Sequence, residues 1–148
     1  MNPQERTIKL YDGGECVFST TTMDTVGRAV VGVLENYHET ENRAVYIHDI
    51  AITQNELVEM AFQATKDDGG KEWTVVNEDT ALLEAAALSD LEKGLASPKV
   101  FYGFAVRAAF AEGYGGHFET VDNELLGIGK MDSQQVQDLV HKIVTQKI

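Results

Sequence analysis

The groups in this chain that could move protons, attack a carbonyl or hold a metal are four histidines, one cysteine and 24 acidic residues. His38, His48, His117 and His141 are scattered, with no second cysteine and no regular spacing of carboxylates to complete a metal site. His48 is followed by Asp49 inside an apolar run. That setting predicts a buried, hydrogen-bonded imidazole, with proton transfer as the alternative. His117 stands after two glycines and before Phe118, in a segment that reads as a surface loop and therefore as a place for function. Cys16 is alone, which excludes an internal disulfide, and its β-prone neighbours predict a small buried hydrophobe.

Phosphate and cofactor chemistry leaves stronger marks, and they are missing. A dinucleotide turn needs Gly-x-Gly-x-x-Gly between a strand and a helix, so that backbone can approach the pyrophosphate. Gly113-Tyr114-Gly115 and Gly127-Ile128-Gly129 put Phe118 and Asp132 where the third glycine belongs. Both read as loop glycines. Neither the phosphate-loop, nucleophile-elbow nor zinc-protease pattern occurs, and His38-Glu39 fails the last of these at Asn42.

The 148 residues suit one domain, and 43% hydrophobic with 24% charged residues is an ordinary globular balance. A formal net charge of −12, with no basic run, argues against nucleic acid and anionic membrane surfaces as partners. No stretch has the roughly 18 uninterrupted apolar residues of a spanning helix. Residues Met1 to Arg6 show neither a secretory nor a transit pattern, which predicts a cytoplasmic protein.

Strands and helices alternate. Thr7–Tyr11 and Cys16–Ser19, joined through Asp12-Gly13-Gly14-Glu15, read as a β-hairpin. Thr21 and Asp24 predict a helix start, and the helix should reach about Glu35. Its apolar residues occupy more than one ~100° stripe, so it should be covered on two sides or expose an apolar face. Ala44–Ile50 reads as a mostly buried strand. Thr53 to Glu56 forms a capping box for a helix through Ala64, and Trp73–Val76 reads as a short strand. Asp79 caps a helix ending at Gly94, and Ser97-Pro98 opens another with Val100, Phe101, Phe104, Ala105 and Ala108 inward. The glycine-rich loop from Glu112 to Phe118 should move and line a groove. A turn then carries Leu125 and Leu126, and Asp132 starts a last helix with Val136, Leu139, Val140 and Ile143 on one face. The class is α/β or mixed α+β.

Three segments in order resemble the NmrA-like and isoflavone-reductase-like family of atypical short-chain dehydrogenases, in particular its fungal members. They are FSTTTMDTVGRAV from Phe18 to Val30, then Asn42 to Ile47 with Thr53 to Glu56, and then Glu112 to Gly116 with Asp122 to Gly127. The resemblance implies the second half of an NAD(P)-binding Rossmann-type fold, with its substrate-side α+β subdomain, over residues 1–148. In that family the other half carries the glycine-rich loop for NADP and, in reductases, the catalytic lysine. Neither transfers to a residue of this chain, so no catalytic or cofactor-binding residue is assigned. The implied role is one wall of a pocket for a small organic substrate, with Phe18, Thr21, Phe110, Tyr114 and His117 as its residues, since aromatic bodies with polar tips suit such a ligand. For Phe18 and Phe110, core packing is the competing role. Three readings stay open: a truncated or split NADP-dependent oxidoreductase, a non-catalytic dinucleotide-sensing or regulatory module, and an incomplete gene product. Self-association through an uncovered apolar face is expected of the chain by itself.

Overall fold

The expected hairpin does not form. Asp12, Gly13 and Gly14 have φ of 47°, 80° and 74°, and this left-handed run carries the chain away from the first strand instead of back along it. The computed structural model, which describes residues 1–145, therefore separates the two strands into different sheets. Numbered as they occur, the strands are β1 (Thr7–Tyr11), β2 (Val17–Thr20), β3 (Ile50–Thr53) and β4 (Thr74–Glu78). β1 pairs with β4 in parallel, Thr7 opposite Thr74 and Tyr11 opposite Glu78. β2 pairs with β3 antiparallel, Val17 opposite Thr53 and Thr20 opposite Ile50. The class is mixed α/β, with one small parallel sheet.

Helices begin where short side chains satisfy their free N–H groups. Helix α1 (Met23–Glu35) is capped by Thr22, one residue later than expected, whose Oγ1 accepts from the Thr25 N–H at 3.3 Å. A short turn, α2 (Tyr37–Thr40), follows. Helix α3 (Gln54–Thr65) has the expected reciprocal box, with Glu56 N–H to Thr53 Oγ1 at 3.2 Å and Thr53 N–H to Glu56 Oε2 at 2.8 Å. Asp79 accepts from Ala81 and Leu82 N–H to start α4 (Thr80–Glu92). Asp132 and Gln135 exchange two bonds at the start of α6 (Ser133–Thr145). Val136, Val140 and Val144 of α6 then pack with Ile52 and Ala61 in one core cluster, while Ile143 faces outward.

Helix α5 (Pro98–Phe110) buries Val100, Gly103 and Val106, whereas Phe101, Ala105 and Ala108 are exposed. The cause is close contact with α4: a Cβ on Gly103 would lie 2.8 Å from the Leu83 carbonyl oxygen and 2.9 Å from Ala87 Cβ. The helix turns that edge inward because nothing larger fits. Gly103→Leu should therefore separate α4 from α5 and cost about 1–3 kcal/mol, the usual range for overpacking, read as a lower midpoint in urea unfolding.

Ala44–His48 is not a strand. Tyr46 and His48 spend their backbone groups on the turn at residues 122–123: Tyr46 N–H donates to Asp122 Oδ2, Tyr46 O accepts from Asp122 N–H, and Asn123 brackets both backbone groups of His48. Ladder pairing begins only at Ile50. Val45 and Ile47 pack beside a second buried cluster of Ala29, Leu126 and Ile128. Among the described residues, no helix is long and apolar enough to cross a membrane.

Candidate functional site

The glycine-rich loop is anchored where it meets β2. Ser19 N–H donates to the Gly116 carbonyl at 2.8 Å, and Phe118 N–H donates to Ser19 Oγ at 2.9 Å. The same hydroxyl lies 3.0 Å from His48 Nδ1. His48 is only 4% exposed, and its burial, then the charges of Lys130 and His117, hold its pKa below the ordinary value against the opposing pull of Asp49. Ser19 Oγ and His48 Nδ1 share a hydrogen bond, so one serine joins β2, the segment before β3 and the loop. This geometry orients a loop. It does not expose a nucleophile, because Ser19 Oγ already accepts a backbone donor and the imidazole is enclosed.

Asp49, 3% exposed, closes the neighbouring corner. Its carboxylate accepts the Thr22 N–H and the Thr25 hydroxyl, each at 2.6 Å. Burial would raise its pKa, but the hydrogen bonds from Thr25 and Thr22, with Arg28 nearby, outweigh burial and hold it below the ordinary value.

The five residues expected to line a pocket divide between two places. Phe110 lies between Tyr11, stacked at 5.0 Å between ring centroids, and Phe18, edge-on at 5.0 Å. Tyr114 is half exposed and holds the Arg107 guanidinium 4.5 Å from its ring centre. Thr21 is turned to the other side, its hydroxyl donating to the Ile47 carbonyl at 3.3 Å. His117 is exposed next to Phe118, whose ring lies 4.9 Å from that of Tyr46.

A hollow of about 570 Å³ opens between the β1–β2 connection, the end of α5 and the start of the loop, lined by Asp12, Cys16, Arg107, Phe110 and Glu112 among others. Of the five expected residues, Phe110 alone lines it. Cys16 is half-buried at this rim and outside β2, not a buried strand residue, because β2 starts at Val17. Arg107 is the hollow's cation, and it is heavily engaged: it donates to Thr80 Oγ1 at 2.7 Å and lies 3.5 Å from Asp12 and 3.4 Å from Glu84. Burial would raise the Asp12 pKa, yet Thr80 and Arg107 keep it below the ordinary carboxylate value. The hollow thus presents one aromatic ring, Phe110, beside the Asp12–Arg107 pair and the further carboxylates of Glu15 and Glu112. Asp12 and Arg107 were invisible as a pair in the sequence, since neither belongs to a motif. Among the described residues, no group of three or more His, Cys, Asp or Glu side chains is placed to hold a metal ion.

The chain is 30% identical over 136 residues to the oxidoreductase poxI of Penicillium oxalicum, and equally so to the sequence of the same name from strain 114-2. The match takes in 86% of this chain and 40% of the relative, so the chain spans well under half the length of the curated relatives it matches. No family model matches the chain. No solved structure matches it either.

Proposed function

We propose that this chain supplies the substrate-side portion of an NmrA-like, isoflavone-reductase-like oxidoreductase that uses NADP, and that it catalyses nothing by itself. The observation that carries the reading is the 30% identity to an oxidoreductase of which the chain matches 40%. The aromatic wall at Phe18, Phe110 and Tyr11 and the hollow beside it support a role in contacting a small organic substrate. Hydride transfer needs a cofactor held against that substrate, and the glycine turn that performs this in dinucleotide folds has no counterpart in the chain.

The test joins the unmatched portion of the Penicillium oxidoreductase ahead of Met1 in one polypeptide and follows NADPH oxidation with a panel of ketones and enones. Turnover by the fusion and none by the separate chain is the expected result. Turnover by the separate chain overturns the reading. A folded fusion that binds NADPH but reduces nothing favours the sensing or regulatory module instead.

A further inference from the structure

Positive charge is concentrated in one place on this acidic chain. Against a formal net charge of −12, a hollow of about 350 Å³ gathers three of the 12 Lys and Arg residues, Arg6, Lys66 and Lys71. With the two carboxylates beside them, Asp68 and Glu72, it carries one net positive charge. Two aromatic rings, Phe62 and Trp73, also line it. The hollow lies where the end of α3 passes into the connection to β4, and it shares no lining residue with the hollow at Phe110.

Its aromatic wall is fixed from behind. Trp73 packs against the core cluster of Ile52, Ala61 and Val136. Its indole N–H donates to Thr65 Oγ1 at 2.9 Å, and that hydroxyl donates in turn to the Ala61 carbonyl at 2.8 Å. Arg6 braces the connection. Its guanidinium lies 5.8 Å from the indole centre, donates to the Lys71 carbonyl at 3.0 Å and pairs with Asp68, which also accepts the Gly70 N–H at 2.9 Å. A Cβ on Gly70 would collide with that guanidinium, so the connection closes this tightly only with glycine there. A wall set before any ligand arrives lowers the ordering cost of binding.

The other groups are uncommitted. Lys66 and Lys71 are exposed, and among the described residues neither takes part in an ion pair. Phe62 is 37% exposed, and Lys66 follows it by four residues at the end of α3, which places ring and ammonium on one side of the helix. Aromatic surface beside free ammonium groups favours a ligand that is flat and apolar over most of its area and anionic at one end. The charge balance selects the anion. A carboxylate neutralises the hollow, whereas a phosphate monoester, with nearly two negative charges, would leave an excess against Asp68 and Glu72.

We propose that this hollow binds a planar aromatic monocarboxylate, with its ring against Trp73 and Phe62 and its carboxylate between Lys66 and Lys71. The site stands apart from the reading of the chain as part of an oxidoreductase.

The exposed apolar side of α1, where Met23 is 82% and Leu34 71% exposed, would also attract a hydrophobic probe, so the readout has to be local. Trp73 is the chain's single tryptophan, and its indole N–H gives one side-chain resonance in a nitrogen–proton correlation spectrum. Titration with naphthoate should move that resonance to saturation with a dissociation constant below about 1 mM. The neutral amide of naphthoate, naphthyl phosphate and acetate should each bind at least ~10-fold more weakly, since each lacks the ring, the charge or the charge match. Lys66→Gln with Lys71→Gln should weaken naphthoate by at least ~10-fold, as should raised salt on the parent, while the ligand-free spectrum keeps its indole position because both side chains are solvated. Equal binding of the amide or of acetate, or an unchanged affinity in the double variant, overturns the proposal. So does tighter binding of naphthyl phosphate, which makes the hollow a site for phosphate monoesters. The absence of a saturable shift up to about 5 mM naphthoate overturns it as well.

Discussion

Asp49→Ala should lower the unfolding free energy by about 2–4 kcal/mol, because it removes two charge-assisted hydrogen bonds and leaves their donors enclosed. The donors are the Thr22 N–H and the Thr25 hydroxyl, and Thr22 is the cap of α1. One carboxylate therefore holds the start of α1 to the residues that lead into β3. The effect depends on pH with a definite sign. The folded-state pKa of Asp49 lies below the ordinary 3.8, so its contribution is complete above that value and is lost as pH falls through the lower folded value. Urea unfolding of parent and variant should differ fully at neutral pH and converge well below pH 3.8. A constant difference across that range would show that the charge is not what stabilises the corner.

The separate chain should bind NADPH no more tightly than about 1 mM, an affinity worth only about 4 kcal/mol. Tight binding needs several backbone N–H donors at a glycine turn opening a helix, and an arginine free to meet the 2′-phosphate. Here the starts of α1, α3, α4 and α6 are capped by Thr22, Thr53, Asp79 and Asp132, whose side chains occupy N–H groups that a phosphate would need, and at the start of α5, where Ser97 makes no such bond, Pro98 has no N–H to offer. Arg6, Arg43 and Arg107 are paired with Asp68, Asp122 and Asp12, and Arg28 with Asp24. An unfixed cofactor also forfeits the orientation that contributes about 7–11 kcal/mol in well-placed reactions. Titration calorimetry is the measurement, and a micromolar dissociation constant would refute the expectation.

The sequence alone determined the features that depend on neighbours three residues apart. Thr53 with Glu56, Asp79 with Ala81 and Leu82, and Asp132 with Gln135 could be read as helix starts because donor and acceptor travel together on any chain that turns there. The wide apolar circumference of α1 was legible for the same reason, since helical period is a local property. Tertiary structure decided the rest. Alternation marked Thr7–Tyr11 and Val17–Thr20 as strands but not their partners, and three successive positive φ angles sent them to β4 and β3. The Ala44–His48 run has strand composition, yet a strand needs a neighbour, and the turn at residues 122–123 took its backbone groups instead. At the site, aromatic type could nominate Phe18 and Phe110, while their contact with each other and with Tyr11, the Ser19–His48 bond and the Asp12–Arg107 pair join segments distant in sequence. Such contacts form only when packing brings separate elements together, and no residue type or spacing encodes which elements those are.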